Sequence, residues 1–459
     1  MNERSKPDAR RTTVVRKRPV SAGPTASAKI AVARVTPARM AAFEILKLVG
    51  EGRGHSDELL HSSRLDALSP EDRNLTTALV LGVLRWQIAL DARVRGLLQR
   101  PDHRVAEPVA IALRMGAFQL LHMDRIPAHA ALSESVELCK AAGEAHAAGM
   151  VNAILRKIAA KPMSDNRDSS AGSGRAVGLP ERTVPLHESV AAFAERLGHP
   201  LWMVERWVKE YGRATALKIC EADQKEPAEG GMFSETGGGL PQMDDGSRLV
   251  AEIAAAAMPG AKRAWDCCAA PGGKTLILAR RLGFTEVVAS DVSVKRLAQM
   301  EARLRRYAYA ERVEFTVADA TDAKAVKGSF DLILCDVPCS GTGTLAGNPE
   351  IRHRLRVEEL ARQAVRQKAI LKGALKRLAP GGRLVYSTCS LELEECEDVV
   401  EGVRGVRRVP VEGLVAELGE QGILLNGVEL GSAVREGALR TLPGVHGCDG
   451  FYAVVLERA

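Results

Sequence analysis

The spacing of apolar residues separates the chain into regions with different periods. Between residues 36 and 160, apolar side chains recur every three or four positions, which is the period of an amphipathic helix. Ser69-Pro70 and Pro127 interrupt the pattern, as is typical at helix boundaries. The sequence therefore predicts an all-α domain over residues 36–160. Its predicted helical segments are AAFEILKLV, LTTALVLGVLRWQI, PVAIALRMGAFQLLHM, AALSESVELCKAA and AAGMVNAILRKIA.

A polar segment follows the helical region. Residues 161–185 are rich in Gly, Ser and Pro and show no apolar period, so we expect a linker between domains. The helical period returns over residues 186–222 and includes Trp202 and Trp207. We expect these helices to open a second domain over residues 186–459.

From residue 262 onward, short apolar runs alternate with helical segments, predicted at Lys274–Leu282, Val294–Tyr307 and Glu358–Leu378. Such alternation predicts an α/β Rossmann-like domain with a doubly wound, mostly parallel sheet. The strand candidates are KRAWD, EVVASD, VEFTVAD, FDLILCD, GRLVYSTCS and FYAVVLE.

Four strand candidates lead into an acid: Asp266, Asp291, Asp319 and Asp336. In open α/β sheets, ligands bind at the carboxyl ends of the strands. One such acid is compatible with a helix cap, but four in register favour a single polar ligand lying across the strand ends.

A loop with two adjacent glycines, DCCAAPGGKT, follows the first strand candidate. Its small residues allow a ligand close to the backbone, and the next helix offers unpaired N–H groups. The loop matches neither G-x-G-x-x-G nor the P-loop pattern, which disfavours a dinucleotide or a triphosphate. Asp291 lies 18 residues after Gly273 and is placed to accept hydrogen bonds from ribose hydroxyls. Asp319 is placed to meet an adenine amine.

Composition and charge narrow the classes of protein. The chain has 459 residues, 46% of them hydrophobic, but it contains no apolar run long enough for a transmembrane helix and no secretory signal. We expect a cytoplasmic protein that does not bind membranes. Residues 1–34 carry nine basic and two acidic side chains, which equals the whole net charge of +7. Residues 1–35 are predicted to form a disordered basic arm, either for contacting nucleic-acid phosphates or for solubility.

The nine cysteines form an odd set without any C-x-x-C pair, so we expect neither a disulfide framework nor a metal site. Two of them, Cys339 and Cys389, follow the fourth and fifth strand candidates. Buried cysteine is often only a small apolar residue, but these two have polar, turn-forming neighbours. Two thiols at one cleft favour thiolate chemistry, and no histidine in either motif supports a Cys–His pair.

The motifs DCCAAPGGKT, DVPCSGTG, YSTCS and LPGVHGCDGFYAVVL, in this order, resemble the bacterial Sun-type branch of the NOL1/NOP2/Sun family. Members are S-adenosylmethionine-dependent RNA cytosine-5 methyltransferases. DRNLTTALVLGVLRW, ALRMGAFQLLHMDRIPAHAALSESVEL and GMVNAILRKIA resemble the NusB-like RNA-binding domain fused to that branch. The resemblance implies a NusB-like domain at residues 36–160, a methyltransferase domain at residues 186–459, and small-subunit ribosomal RNA as the substrate of a monomeric enzyme.

The resemblance also implies roles for individual residues. Cys389 is expected to attack cytosine carbon 6, and Cys339 to assist proton removal and release. Asp336 is expected to bind the cytosine and to lie near the cofactor. Asp291 and Asp319 would then meet the ribose and the adenine. The methionine end of the cofactor is assigned to Cys268, Ala269, Ala270, Pro271, Gly272, Gly273 and Lys274.

One stretch departs from the family pattern. Family members carry an RNA-binding subdomain that begins with Pro-Pro-x-x-x-Arg-x-Asn, whereas residues 225–242 here are short and Gly-rich. Residues 352–377 hold nine basic side chains and two acids, which predicts either an ordinary solvated helix face or a compensating phosphate track.

Three interpretations remain open at this point. A methyltransferase acting on a different RNA would keep the whole motif set. A non-catalytic RNA-binding module would need neither Cys339 nor Cys389. A nucleotide-dependent oxidoreductase is disfavoured by the missing G-x-G-x-x-G.

Overall fold

A computed structural model gives the fold of most of the chain. It describes residues 35–100, 104–160, 188–227, 231–234, 239–283, 285–428 and 430–458. The predicted basic arm, apart from its last residue, and the whole predicted linker at 161–185 lie outside the described residues.

The N-terminal region is helical, as its period predicts. The helices are α1 (Pro37–Gly50), α2 (Ser56–Leu60), α3 (Pro70–Arg95), α4 (Glu107–His122), α5 (Ala128–Ala141) and α6 (Ala148–Ala160). Pro70 occupies the first turn of α3, and the Ser69 hydroxyl accepts a hydrogen bond from the Asp72 N–H to cap it. The apolar stripes of α1, α3, α4, α5 and α6 share one core.

Helix α3 has the length and apolar character of a membrane span. Its buried side chains, such as Leu79, Val83 and Leu90, pack in the core with residues of α1 and α4. The apolar character of α3 is thus accounted for by packing inside the helical domain.

Three short helices connect this domain to the sheet: α7 (Val190–Arg196), α8 (Leu201–Tyr211) and α9 (Arg213–Ala222). Trp207 of α8 is buried, and its indole N–H donates to Glu392 Oε1 at 3.0 Å. The helices share a core with Leu345 and Leu391, which are close in sequence to Cys339 and Cys389.

The described residues from 263 onward form nine strands that share one sheet. The strands are β1 (Arg263–Asp266), β2 (Glu286–Asp291), β3 (Val313–Val317), β4 (Phe330–Asp336), β5 (Leu378–Thr388), β6 (Val406–Val409), β7 (Val434–Arg435), β8 (Ala438–Arg440) and β9 (Tyr452–Arg458). Their order is β3-β2-β1-β4-β5-β9-β8-β7, with β6 paired to β9. The first five strands are parallel, and β9 is antiparallel to β5. Chain order reverses between β1 and β4, which is where doubly wound sheets bind ligands.

Helices cover the sheet. They are α10 (Asp245–Ala257), α11 (Gly273–Arg281), α12 (Val294–Leu304), α13 (Ile351–Arg354), α14 (Val357–Leu375), α15 (Glu397–Val400) and α16 (Val411–Glu420). The predicted helix Glu358–Leu378 is too long, because Leu378 is already the first residue of β5. The short strands β6, β7 and β8 escaped prediction because two to four residues carry too little periodicity.

The described part of the short Gly-rich segment packs against the chain after α16. Phe233 forms a β-bridge with Leu424, and the Leu425 N–H donates to the carbonyl of Met232 at 2.9 Å. Met232 and Phe233 are buried. These residues therefore complete the core beside α10 and present no separate surface.

Residues 345–354 join the two halves. Arg85 of α3 donates to the carbonyl of Ala346, and Glu350 accepts from the N–H and hydroxyl of Ser56 at 3.0 and 2.8 Å. Arg352 is 2% exposed and donates to the carbonyls of Arg85 and Gly198 at 3.0 and 3.2 Å.

This interface corrects part of the predicted phosphate track at 352–377. The Arg352 guanidinium is enclosed between the two halves. Arg354 donates to the carbonyls of Val49 and Gly54 in the helical domain. Both arginines therefore bind protein carbonyls, a use of positive charge that sequence alone does not distinguish from binding phosphate.

Candidate active site

A cavity of about 410 Å³ opens at the carboxyl ends of β1, β2 and β4. Carboxylates, thiols and two arginines share its wall. The lining residues are Cys267, Cys268, Ala270, Asp291, Val292, Arg296, Ala318, Asp319, Ala320, Thr321, Asp336, Val337, Pro338, Cys339, Arg366, Ile370 and Cys389. Its position is the one expected for ligands of a doubly wound sheet.

The glycine loop leads from β1 into α11. Gly272 has φ of 97°, and a Cβ atom there would lie 2.8 and 2.9 Å from side-chain atoms of Met300 and Leu304. Only glycine satisfies both the left-handed backbone and this close approach. Cys268 and Ala270 line the cavity, whereas Ala269 is buried and donates its N–H to the carbonyl of Ser290.

Asp266 does not line the cavity, although its position at a strand end suggested a ligand contact. It is 1% exposed, and its Oδ2 accepts from the Thr275 hydroxyl at 2.6 Å. Its Oδ1 has no hydrogen-bond partner among the described residues. Burial raises the pKa of Asp266 to about 7, because the charged form is poorly solvated.

Asp291 lies at the cavity wall at the end of β2 and is 3% exposed. Its Oδ1 accepts from the Ser293 N–H at 2.9 Å, and its Oδ2 lies 3.2 Å from Arg296. Arg296 also donates to the carbonyl of Ala270 at 2.6 Å, so it spans the cavity wall. Each carboxylate oxygen keeps a further lone pair for a ligand hydroxyl. Asp319 lies on the same wall and is exposed.

The Sγ atoms of Cys339 and Cys389 are 3.3 Å apart. The two thiols come from the loops that follow β4 and β5, which are adjacent parallel strands. The hydrogen bond with Cys339, burial and the Asp336 charge raise the pKa of Cys389, and the nearby Lys274 opposes them. A nucleophilic cysteine acts as the thiolate, so these three effects oppose that form of Cys389 and Lys274 favours it.

Lys274 joins the glycine loop to the thiols. Its Nζ lies 2.7 Å from Asp336 Oδ2 and donates to the Ser247 hydroxyl at 2.7 Å. Asp336 Oδ1 accepts from the Ser387 hydroxyl at 2.8 Å. Although burial opposes it, the Asp336 charge raises the pKa of Lys274 overall, so the ammonium stays protonated beside the thiols.

The structure thus gathers most of the predicted site residues around one cavity. Both cysteines, the three acids Asp291, Asp319 and Asp336, and the loop residues Cys268 and Ala270 line it. Lys274 reaches the wall through Asp336, whereas Ala269, Pro271, Gly272 and Gly273 shape the loop. Sequence reasoning missed Arg296, because an arginine on an amphipathic helix resembles any solvated face, and it included Arg366 only as part of the basic stretch 352–377.

Comparisons with known proteins follow the same division of the chain. The family described as "16S rRNA methyltransferase RsmB/F" matches residues 256–457, and the NusB family matches residues 36–160. "Ribosomal RNA small subunit methyltransferase B" of Pseudomonas syringae pv. tomato is 30% identical, over 82% of this chain and 89% of its own length. The chain belongs to the RsmB/F family.

Further similarity supports this placement. The protein with the same name from Xanthomonas campestris pv. campestris is 29% identical, over 92% of this chain and 97% of its own length. The crystal structure of PH0851 has a TM-score of 0.64 and 20% identity, and the match covers 92% of this chain and 99% of that one. These findings confirm the Sun-type resemblance and the Rossmann-like and NusB-like fold classes. The RsmB/F chain described here is an S-adenosylmethionine-dependent RNA methyltransferase.

The cavity of this RsmB/F chain fits S-adenosylmethionine. Its volume of about 410 Å³ lies in the usual range for small-molecule sites. The buried carboxylate of Asp291 suits ribose hydroxyls, and the acids on the wall suit a cationic sulfonium. The thiols of Cys339 and Cys389 share that wall, so a bound methyl donor and a nucleobase would meet beside them.

Proposed function

We propose that this chain methylates carbon 5 of a cytosine in small-subunit ribosomal RNA through a covalent adduct with Cys389. The observation that carries the proposal is the 3.3 Å separation of Cys339 and Cys389 on the wall of a cavity suited to S-adenosylmethionine. Two adjacent thiols on the wall of one ligand site favour covalent catalysis over RNA binding alone.

Cys389 supplies the nucleophile. Carbon 5 of cytosine is too electron-poor to attack a methyl sulfonium directly. Cys389 Sγ bonds to carbon 6, and the electron pair of the C5–C6 double bond makes carbon 5 nucleophilic. When bound, S-adenosylmethionine supplies an electrophilic methyl group. Cys339, 3.3 Å away, assists removal of the proton from carbon 5, and breaking of the Sγ–C6 bond restores the double bond and the Cys389 thiolate.

Asp336 and Lys274 orient the base and set its charge. Asp336 accepts from Ser387 and Lys274, and its remaining lone pairs accept from the exocyclic amine of cytosine, and from the ring nitrogen when that atom carries a proton. Electron density moves onto the base when the thiolate adds, and the Lys274 ammonium stabilises that negative charge. Lys274 also favours the thiolate of Cys389, which the cysteine pair otherwise disfavours.

Asp291 and Asp319 are assigned to the cofactor ribose and adenine. The loop Cys268, Ala269, Ala270, Pro271, Gly272, Gly273 and Lys274 is assigned to its methionine end. Cys268 and Ala270 support this by lining the cavity. The backbone N–H groups at the start of α11 support it by offering a site for a carboxylate.

The helical domain, residues 36–160, is assigned to RNA binding, and residues 186–459 to catalysis. Family relatives named as small-subunit ribosomal RNA methyltransferases support that substrate. The basic arm at 1–35 would add salt-sensitive contacts to phosphates. Because the substrate is ribosomal RNA, we place the enzyme in the cytoplasm, and we propose that it acts as a monomer.

The test is methyl transfer from tritiated S-adenosylmethionine to small-subunit ribosomal RNA that lacks this modification, with bisulfite sequencing of the product. We expect one methylated cytosine. Cys389→Ala should abolish transfer while cofactor affinity persists, and the control Cys448→Ala should transfer normally. Turnover by Cys389→Ala would overturn the nucleophile, and methylation only of another RNA would replace the substrate.

A further inference from the structure

Glu395 lies beneath the two cysteine loops and takes no part in the chemistry described above. It is fully buried, six residues after Cys389. Its carboxylate accepts hydrogen bonds from four neutral donors. These are the Ser340 N–H at 2.9 Å, the Ser340 hydroxyl, the Ser390 hydroxyl at 2.5 Å and the Gln367 side-chain amide at 3.1 Å. A buried carboxylate is tolerated only when its oxygens are bonded in this way.

Three of these four donor groups belong to residues that directly follow the two thiols. Ser340 directly follows Cys339, and Ser390 directly follows Cys389. The two serine hydroxyls also lie 3.1 Å from each other. One carboxylate therefore bonds the residue after each thiol.

Glu395 and its donors Ser340, Ser390 and Gln367 form a hydrogen-bonded group that we call the clamp. Within it, Gln367 of α14 contacts the chain on the other side of Cys339. Its side-chain amide donates to the carbonyl of Pro338 at 3.0 Å as well as to Glu395. The chain is thus held immediately before and after Cys339. The Tyr386 hydroxyl donates to the main-chain carbonyl of Glu395 at 2.6 Å and fixes the clamp to β5.

We infer that Glu395 is a positioning residue that sets the distance and orientation of Cys339 relative to Cys389. The inference rests on the proposed function, since the separation of the thiols matters only if both act on one base. Adduct formation and release need the two sulfurs on the same cytosine, and a misplacement of about 1 Å costs up to about 10²-fold in rate. A carboxylate suits this role because its two acceptor oxygens serve both loops at once.

The test compares full-length Glu395→Gln with wild type and with Glu394→Gln, a neighbouring carboxylate that pairs instead with Arg206. We expect Glu395→Gln to lower kcat by about 10²-fold while the KM for S-adenosylmethionine stays unchanged. Glu394→Gln should keep its kcat. Ser390→Ala, which removes one arm of the clamp, serves if Glu395→Gln does not fold.

A second readout measures the thiols without RNA. Diamide oxidises two adjacent thiols to a disulfide and is itself reduced to the hydrazine. Peptide mapping should show slower Cys339–Cys389 disulfide formation in Glu395→Gln than in wild type and Glu394→Gln. An unchanged oxidation rate, or a kcat loss that only follows the unfolded fraction, would overturn the inference. If wild type methylates no cytosine, the proposed function fails, whereas the oxidation result still judges the clamp.

Discussion

The ammonium of Lys274 lies 2.7 Å from Asp336 and joins the start of α11 to the end of β4. The same ammonium lowers the pKa of Cys389 against the opposing effects of Cys339, burial and Asp336. The glycine loop, assigned to the cofactor, therefore also favours the thiolate of the proposed nucleophile.

Replacing Lys274 tests its effect on the pKa of the Cys389 thiol. Lys274→Met should raise the pKa of Cys389 further, because a nearby cation that favours its thiolate is removed. At pH 7–8 the alkylation of Cys389 by iodoacetamide should slow and its pH midpoint should rise. Lys295→Met, on the exposed side of α12, is the control. An unchanged midpoint would show that Lys274 does not affect the pKa of Cys389.

Asp266 predicts a pH dependence of stability. Its pKa is about 7 in the folded protein and ~3.9 in an unfolded chain, so the folded state binds more protons between those values. The free energy of unfolding should therefore fall as pH rises from ~4 to ~7, by at most about 4 kcal/mol. Urea unfolding at several pH values should show a flatter profile for Asp266→Asn than for Asp322→Asn, an exposed control. Equal slopes would contradict the assignment.

The role proposed for Cys339 predicts that its loss traps the covalent adduct between RNA and the protein. If it assists proton removal, Cys339→Ala should accumulate RNA bound covalently to Cys389, because elimination needs carbon 5 to lose its proton. Incubation with RNA and S-adenosylmethionine should then give a slow band on a denaturing gel. The double variant Cys339→Ala/Cys389→Ala should give none. Full activity of Cys339→Ala without a band would leave Cys339 a packing residue.

The ribose contact proposed for Asp291 predicts that its removal weakens cofactor binding. Asp291→Ala removes the buried acceptor that we propose for the ribose, and a charged hydrogen bond contributes ~1.5–3 kcal/mol, or roughly 10- to 100-fold in Kd. Calorimetry with S-adenosylmethionine measures the change. Arg296→Ala removes the pairing side chain and keeps the carboxylate, so it should weaken binding less. Equal affinities for wild type and Asp291→Ala would place the ribose elsewhere.

The buried contacts of Arg352 between the helical domain and the rest of the chain predict a loss of stability when they are removed. Its guanidinium donates to main-chain carbonyls of Arg85, Gly198, Asp223 and Leu345. Arg352→Met should lower the free energy of unfolding by ~3 kcal/mol or more, since each buried acceptor left unpaired costs ~1–3 kcal/mol. Urea denaturation against the exposed control Arg356→Met measures this. Equal midpoints would show that the interface does not depend on Arg352.

The sequence determined the parts that local chemistry specifies. The period of apolar residues is a property of each segment, so it predicted the helices of the N-terminal domain and the main strands of the sheet. Parallel strands end at one edge, so the order of motifs predicted that Asp291, Asp336, Cys339 and Cys389 share a cleft.

Tertiary structure decided what depends on contacts across long separations in the chain. The pattern at strand ends treated Asp266 and Asp291 alike, but packing buries Asp266 under α11 and leaves Asp291 at the cavity. The positive charge of Arg352 was equally consistent with RNA binding. In the structure, however, the guanidinium binds carbonyls from both halves of the chain. No sequence pattern pointed to Glu395. Its contacts depend on folding, which brings Ser340, 55 residues away in sequence, within hydrogen-bond distance of the carboxylate.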